Sequence, residues 1–300
     1  MVERLRAAIE KARGSREAGV SGAVGAASGP ASVDGAVAAG AHLGASEADH
    51  ASSERRERWL ALPELRLSED ALVRERIISL GRADRAHFAF DALRTRLLTM
   101  LRDNGWSRVA VTSPTKGCGK TTIATNLAFS LARQPEIRSV LIDLDLRMPQ
   151  LANRLGVRED HRIKPFLTGG MPAEAYLRRF GENLAFGLNS SPVRNSAELV
   201  QSRLAAQSIS AISAAYQPDV MLFDMPPMLT CDDVLGFLPN VDGVLLVIGG
   251  GETKPGAIDE CEQLIESHSN FLGIILNKGE GLDINAGYYG YGSGDGHGIA

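Results

Sequence analysis

A glycine-containing loop between a predicted strand and a predicted helix has residue types that bind phosphate. The loop reads S-P-T-K-G-C-G-K-T-T, and Gly117 and Gly119 allow backbone N–H groups to close on phosphate oxygens. Lys120 supplies a positive charge for the β- and γ-phosphates, and Thr121 supplies a hydroxyl for Mg²⁺. Pro114 stands where the common P-loop pattern has its first glycine, so the match covers the latter half. We predict a nucleotide-binding P-loop, in preference to a glycine turn before an ordinary helix.

Three aspartates lie at or near the ends of apolar runs that are predicted to be strands. Asp143 ends one run, Asp145 follows two residues later, and Asp224 ends a second run. If the first strand continues to Asp145, both carboxylates point the same way. Carboxylates beside a triphosphate hold Mg²⁺ or accept a proton from an attacking hydroxyl, whereas a lone aspartate there can be a turn residue. Asn277 ends another run, where its amide could contact a base or form a turn. Arg147 is a candidate partner for phosphate or a neighbouring subunit.

The elements that must position these residues alternate along the chain. The apolar runs are RVAVTS, SVLIDLD, DVMLFDM, GVLLVIG and FLGIILN, and helix-like segments separate them. Near-continuous apolar strands between helices are typical of a parallel sheet covered on both faces. We therefore predict an α/β fold with a doubly wound, mainly parallel sheet, whose ligands bind at the carboxyl ends of the strands.

Composition excludes several classes of protein. The chain has 300 residues, a net charge of −4 and 44% hydrophobic residues, and this slight acidity argues against nucleic-acid binding. Three scattered cysteines favour a reducing compartment. We identify no secretory signal and no run of about 18 apolar residues that could span a membrane. The six histidines lack metal-ligand spacing. These features predict a cytoplasmic globular protein.

The chain divides into five predicted segments. Residues 1–17 form a short amphipathic helix, and 18–52 form a flexible linker rich in Ala, Gly and Ser. Residues 53–82 are charged and helical. Residues 83–285 form the P-loop domain, beginning with an amphipathic helix over 83–103. Residues 286–300 form a flexible, Gly-rich and Tyr-containing tail.

These motifs together resemble the bacterial tyrosine kinases of exopolysaccharide and capsule synthesis, the BY-kinases. The resemblance covers roughly residues 83–292, and its most specific element is V-L-I-D-L-D-L-R-M-P at 140–149. The P-loop and the strand F-D-M-P-P-M-L, with Asp233 downstream, are also similar to that family. The segment I-E-K-A-R at 9–13 resembles the start of members found with exosortase-type polysaccharide systems.

The resemblance implies an ATP-dependent, Mg²⁺-requiring protein-tyrosine kinase that regulates polysaccharide polymerisation or export. Lys120 and Thr121 would hold Mg-ATP, and Asp143 would assist the attacking tyrosine hydroxyl or bind Mg²⁺. Asp145 would support Asp143, and Asp224 would order the metal. The implied nucleotide-binding residues are Lys116, Gly117, Cys118, Gly119, Lys120, Thr121, Thr122 and Asn277. Cys118 is either a small loop filler or a thiol whose pKa the helix N-terminus lowers.

The family's phosphate acceptors are tyrosines in a C-terminal tail, which a neighbouring subunit phosphorylates. Here that resemblance assigns the role to Tyr288, Tyr289 and Tyr291 and implies a homo-oligomer. Many members assemble through an E-x-x-R-x-x-R helix, but this chain has Phe88 and Asp91 in place of the Glu and the first Arg.

A membrane partner also follows from the resemblance. This chain resembles the split arrangement, in which the cytoplasmic tail of a membrane-embedded chain-length regulator activates the kinase. Such a partner would recruit the chain to the inner face of the plasma membrane. We hypothesise that residues 1–17 or 53–82 help to dock it.

Two other functions stay open from the sequence. The first is a positioning ATPase of the MinD/ParA type, but Thr115 occupies the signature-lysine position of that class and Lys116 lies beside it. The Gly-rich tail also differs from the basic amphipathic membrane helix of MinD-type proteins. The second is a nucleotide-binding regulator of the polysaccharide machinery that lacks catalytic activity.

Overall fold

A computed structural model describes residues 53–77 and 86–279. Within these residues, no helix is both long and apolar enough to cross a membrane. The predictions for residues 1–17 and 18–52 and for the tyrosine tail at 286–300 therefore lie outside the described residues.

The described residues form a seven-stranded sheet in the order β3-β4-β2-β5-β1-β6-β7. All neighbouring strands are parallel except β3 and β4, which are antiparallel. This topology confirms the predicted α/β, mainly parallel sheet. The strands are β1 Arg108–Thr112, β2 Ser139–Asp143, β3 Arg178–Phe180, β4 Leu184–Gly187, β5 Val220–Asp224, β6 Gly243–Gly249 and β7 Asn270–Asn277.

Helices cover both faces of the sheet. Local signals set several of their ends: the Ser202 hydroxyl accepts a hydrogen bond from the Ala205 N–H at 3.1 Å and caps α9. Pro255 begins α11, at a position where its missing N–H has no cost. The helices are α1 53–60, α2 Glu69–Arg74, α3 Ala86–Asn104, α4 Lys120–Ala132, α5 Leu151–Arg154, α6 Lys164–Leu167, α7 Ala173–Tyr176, α8 Ser196–Val200, α9 Arg203–Tyr216, α10 Asp233–Phe237 and α11 Pro255–Glu266, with 3₁₀ turns at Met228–Thr230 and Leu238–Asn240.

Two hydrophobic cores lie on the opposite faces of the sheet. Val140, Ile142 and Phe223 belong to one core, whereas Leu141 and Leu222 belong to the other. Successive side chains of a strand point to opposite faces, so a strand buried on both faces must be apolar throughout. Burial on both faces therefore explains why these strands appear in the sequence as near-continuous apolar runs.

The segment before the P-loop domain packs onto the same cores. Trp59 is fully buried, and Leu72 is also buried. The backbone N–H of Leu65 donates to the Arg179 carbonyl at 2.7 Å, and the Arg179 N–H donates to the Pro63 carbonyl at 2.9 Å. The charged helical segment predicted over 53–82 therefore contains two short helices and an extended stretch at β3, since a helix does not continue through Pro63. Residues 78–82 lie outside the described part.

Candidate functional site

The glycine loop lies between β1 and the N-terminus of α4. Gly117 and Gly119 have φ angles of +87° and +89°, a left-handed conformation that glycine adopts without a Cβ clash. The Asn277 side-chain amide donates a hydrogen bond to the Cys118 carbonyl at 2.9 Å. A Cβ added to Gly119 would collide with that amide. The end of β7 thus holds the loop in place, and α4 begins at Lys120.

The Lys120 ammonium lies among carboxylates at the carboxyl ends of the strands. Its Nζ is 2.7 Å from Asp145 Oδ2 and 3.9 Å from Asp224 Oδ1. Burial would lower the pKa of Lys120, but the negative charges of Asp224 and Asp145 outweigh burial and raise the pKa above its ordinary value. Lys120 therefore stays positively charged at the end of the loop that the sequence predicts to bind phosphate.

Asp143 is the fully buried carboxylate at the end of β2. Its Oδ1 accepts the N–H of Asp145 at 3.1 Å, and its Oδ2 accepts the N–H of Leu151 at 3.0 Å. Burial and then the charge of Asp224 raise the pKa of Asp143 well above its ordinary value. Both oxygens are engaged with backbone groups, so Asp143 organises the turn that follows β2.

Asp145 lies beyond the end of β2, so strand alternation does not orient its side chain. Its Oδ1 accepts the N–H of Met148 at 3.0 Å and closes a turn, while its Oδ2 pairs with Lys120. The condition that the strand extends to Asp145 is not met, because β2 ends at Asp143 and a turn spans residues 145–148. The turn nevertheless presents the Asp145 carboxylate to the P-loop lysine.

Asp224 is paired with Asp143 across β5 and β2 in the sheet register. It is fully buried, and neither of its carboxylate oxygens has a hydrogen-bond partner. Burial raises the pKa of Asp224, although the Lys120 charge opposes that rise. A buried carboxylate without a hydrogen-bond donor is suited to a cation.

This donor set fits Mg²⁺ held jointly with a nucleotide. Among the described residues, no group of three or more His, Cys, Asp or Glu side chains converges to hold a metal by itself. Mg²⁺ commonly binds through one or two carboxylates, water and substrate phosphates. Asp224, with the adjacent Thr121 of the P-loop, matches that pattern better than Asp143, whose oxygens are occupied.

A cavity of about 330 Å³ lies over these groups. Its size is at the lower end of ordinary ligand pockets, which span about 300–1,000 Å³. Asp145 lines it, whereas the buried Asp143 and Asp224 are not part of its lining. The lining consists of Ser113, Lys116, Gly117, Gly119, Lys120, Thr121, Asp145, Arg147, Met148, Gln150, Arg154, Pro226, Pro227, Thr230 and Cys231.

The cavity joins residues that the sequence predicted and residues that it missed. Five residues that the sequence predicts to bind nucleotide line it: Lys116, Gly117, Gly119, Lys120 and Thr121. Cys118, Thr122 and Asn277 do not line it, and Asn277 instead supports the loop from behind. The sequence reasoning missed Arg154, Gln150, Thr230 and Cys231, which no motif marks.

Arg147 forms an ion pair within the chain. Its Nε and Nη2 lie 2.8 Å and 2.7 Å from Asp233 Oδ2. Burial would raise the pKa of Asp233, but hydrogen bonds from Arg147 and Ser196 hold it below its ordinary value. The ion pair connects the segment after β2 to the start of α10.

Cys118 is buried inside the loop. Burial would raise the pKa of its thiol, but hydrogen bonds with Thr253 and Thr115 outweigh burial and lower the pKa. The side chain is only 1% exposed, which agrees with a loop filler. The lowered pKa comes from these hydrogen bonds and not from the helix N-terminus that the sequence suggested.

The sequence of the sheet domain matches a known class of nucleotide-binding domain. Residues 109–286 match the family model for the CobQ/CobB/MinD/ParA nucleotide binding domain. This match includes the P-loop and all three aspartates, so the chain contains a nucleotide-binding domain of that class.

Within that class, the chain is most informatively compared with bacterial proteins named as tyrosine-protein kinases. The chain is 34% identical over 206 residues to tyrosine-protein kinase YwqD of Bacillus subtilis, covering 67% of this chain and 85% of YwqD. It is 30% identical over 204 residues to the putative tyrosine-protein kinase EpsB of Ralstonia nicotianae, covering 67% of this chain but only 26% of EpsB. The chain belongs to the bacterial tyrosine-protein kinases, and it is an enzyme of that family.

A solved structure agrees with this assignment. The kinase domain of the Escherichia coli tyrosine kinase ETK superposes with a TM-score of 0.62 at 26% identity. The match covers 72% of this chain and 84% of that domain.

Proposed function

We propose that this chain is an ATP-dependent tyrosine autokinase that phosphorylates its own C-terminal tyrosine cluster in trans. In this proposal the activity regulates exopolysaccharide or capsule polymerisation or export. The observation that carries the proposal is the position of the Lys120 ammonium at the P-loop, 2.7 Å from Asp145 and 3.9 Å from Asp224. The family membership of the chain supports it.

The P-loop residues bind and orient ATP in this proposal. Backbone N–H groups at Gly117 and Gly119 and the N-terminus of α4 face the phosphates. Lys120 leaves Asp145 and pairs with the β- and γ-phosphate oxygens. Mg²⁺, held by Thr121 and Asp224, would neutralise charge on those oxygens when bound.

The transfer step needs a nucleophile and a proton acceptor. The tyrosine oxygen forms a bond to the γ-phosphorus, the bond from that phosphorus to the β–γ bridging oxygen breaks, and ADP leaves. The phenolic proton passes to a carboxylate of the Asp143–Asp145 pair. Asp145 lines the cavity and is released when Lys120 turns to phosphate, so it is the better placed of the two. Asp143 holds the Asp145 turn through its backbone hydrogen bond.

Tyrosine burial supports the tail as the acceptor. The chain has five tyrosines, and two of them, Tyr176 and Tyr216, are only 3% and 5% exposed. A buried tyrosine cannot enter another active site without unfolding. The remaining three are Tyr288, Tyr289 and Tyr291.

Intact mass spectrometry tests the activity and the acceptors. Incubation with Mg-ATP should add phosphate to the wild-type chain and to the matched surface variant Arg66→Met. Lys120→Met, a truncation after Asn285 and the triple Tyr288→Phe, Tyr289→Phe, Tyr291→Phe variant should gain none. Phosphate on the triple variant would contradict the proposed acceptors.

A mixing experiment separates transfer in trans from transfer in cis. The Lys120→Met chain retains its tail but lacks activity, and the chain truncated after Asn285 retains its active site but lacks a tail. Phosphate should appear on the Lys120→Met chain only when the two are mixed with Mg-ATP. If the wild-type chain is phosphorylated but the mixture is not, transfer occurs within one chain.

The proposed assembly includes copies of this chain and a membrane-embedded chain-length regulator. Arg94, which matches the last arginine of the family's ring helix, is engaged inside the chain: its Nη1 lies 2.9 Å from both Asp91 Oδ1 and the Ser130 carbonyl. Another surface of the chain would therefore form the homo-oligomer. Deletion of residues 1–17 should weaken recruitment to membranes that contain the regulator, and full recruitment of the deleted chain would remove that docking role.

A further inference from the structure

A second cavity, of about 530 Å³, lies beside α6. Its walls come from two segments, residues 162–170 around α6 and residues 189–194 after β4. It combines basic side chains with flat apolar ones. The lining consists of Arg162, Lys164, Pro165, Thr168, Gly170, Asn189, Ser191, Pro192, Val193 and Arg194.

The cavity carries uncompensated positive charge. No acidic residue belongs to its lining. Arg162 pairs with Asp160 at 2.8 Å, but Lys164 and Arg194 are exposed and form no salt bridge with any residue that the structure describes. Two free cations at the mouth of a cavity are suited to a phosphate group.

One backbone hydrogen bond joins the segments that line the second cavity and the nucleotide cavity. The Val193 N–H donates a hydrogen bond to the Leu146 carbonyl at 2.8 Å. Leu146 lies between Asp145 and Arg147, which line the nucleotide cavity, while Val193 and Arg194 line the second cavity. A ligand in the second cavity would therefore contact a segment that is bonded to the lining of the nucleotide cavity.

The apolar part of the lining is suited to a ligand that carries an aromatic ring as well as a phosphate. Pro165, Pro192 and Val193 present surfaces on which an aromatic ring can pack, and Lys164 and Arg194 can pair with a dianion. A phosphotyrosine has both parts. Three tyrosines occur within residues 288–291, and three residues of extended chain span about 10 Å at most. A tail held by one phosphotyrosine would thus keep its other tyrosines within about 10 Å of the second cavity.

We propose that the cavity binds a phosphotyrosine already formed in the tail and so promotes phosphorylation of the remaining tyrosines. This inference rests on the proposed autokinase function. The first phosphate converts the tail into a ligand, and the second transfer then occurs from a tethered state with a higher effective concentration.

Peptide binding tests the cavity without requiring kinase activity. A labelled peptide of residues 284–293, with phosphate on Tyr289, is titrated with the full chain in the presence of ADP, and fluorescence anisotropy is measured. The phosphopeptide should bind at least tenfold more tightly than the unphosphorylated peptide. The Lys164→Gln, Arg194→Gln double variant should lose this difference, whereas the charge-matched Arg66→Gln, Arg74→Gln variant should retain it.

Competition distinguishes the sources of the recognised phosphate. Free phosphotyrosine should displace the peptide at concentrations at which inorganic phosphate does not. Equal competition by inorganic phosphate, or equal binding of a peptide with Glu at position 289, would overturn recognition of phosphotyrosine. So would wild-type binding by the Lys164→Gln, Arg194→Gln variant.

The kinetics of autophosphorylation provide a second readout. Intact mass resolves species with one, two and three phosphates, and the ratio of the second rate to the first is compared among variants. The ratio should fall about tenfold in Lys164→Gln, Arg194→Gln and keep its wild-type value in Arg66→Gln, Arg74→Gln. A wild-type chain that gains no phosphate contradicts the autokinase function, while a ratio that the cavity variant leaves intact contradicts only the cavity.

Discussion

The Lys120 ammonium and the Asp145 carboxylate form an ion pair of 2.7 Å inside the nucleotide cavity. Both side chains are largely buried, at 11% and 7% exposed, so water screens their attraction only weakly. A phosphate that takes Lys120 must replace this contact. In the proposed mechanism, the same exchange would free the Asp145 carboxylate when the substrate proton needs an acceptor. One lysine would then link nucleotide binding to activation of the base.

Replacing Asp145 with Asn separates these two effects. Asp145→Asn keeps the shape of the side chain but removes its charge, so ATP should bind at least as tightly as to the wild type. The rate of phosphate transfer should fall by about 10²-fold or more, because a proton acceptor is lost. Calorimetry with ATP and intact mass measure the two quantities. The surface variant Asp103→Asn should match the wild type in both, and an unimpaired rate in Asp145→Asn would rule out its role as the base.

The raised pKa of Asp224 should make the folded state less stable as the pH rises, the opposite of the usual behaviour of a paired aspartate. Burial, opposed in part by Lys120, raises the pKa of Asp224 above its ordinary 3.8. Between pH 3.8 and the raised pKa, the folded state holds a proton that the unfolded state has released. The stability that this group contributes is therefore present below pH 3.8 and is lost as the pH rises through the folded pKa.

The Asp224→Asn variant should not lose stability as the pH rises through the folded pKa of Asp224. In EDTA and without nucleotide, the variant should melt higher than the wild type at pH 8, by about 2–4 °C. The difference should shrink as the pH falls towards 3.8, and Asp103→Asn should show no such trend. A variant that melts lower than the wild type at pH 8 would show that the Lys120 charge stabilises ionised Asp224 by more than burial destabilises it.

Much of the site could be predicted from sequence because its residues follow buried strands. β2 and β5 are apolar up to Asp143 and Asp224, and the sheet register places these two residues side by side. The P-loop was recognisable because its conformation depends on glycine, and φ is positive at both Gly117 and Gly119.

Other features have no local signal. β3 is the three-residue segment RRF and β4 has only four residues, so pairing with neighbouring chain, rather than a sequence pattern, makes them strands. Arg154 of α5 lines the nucleotide cavity and pairs with Glu75, which is 79 residues away in the sequence, at 3.1 Å. Such contacts depend on the tertiary fold and cannot be read from residue spacing.

Gly119 should be intolerant of any side chain. In Gly119→Ala the new Cβ would collide with the Asn277 amide and would also occupy a left-handed backbone conformation. The collision should displace the loop and lower the affinity for ATP by at least tenfold. Gly181→Ala is a matched control, since Gly181 also has a positive φ, of +62°, but open space around its Cβ position. It should lose about 1 kcal/mol of stability and keep its ATP affinity. Equal ATP affinity in the two variants would show that the Asn277 contact does not fix the loop.

The segment before the P-loop domain should be part of the folding unit rather than a detachable docking arm. Trp59 is fully buried and packs edge-on against Tyr216 of α9, with ring centroids 6.2 Å apart. Trp59→Ala should therefore reduce the free energy of unfolding by about 3–5 kcal/mol. Val73→Ala is the matched control on the same segment, because Val73 is 73% exposed and its loss should cost less than about 0.5 kcal/mol. Urea denaturation of both variants measures these changes. If Trp59→Ala unfolds at the wild-type midpoint, the segment contributes little to the core, and a docking role for residues 53–77 regains support.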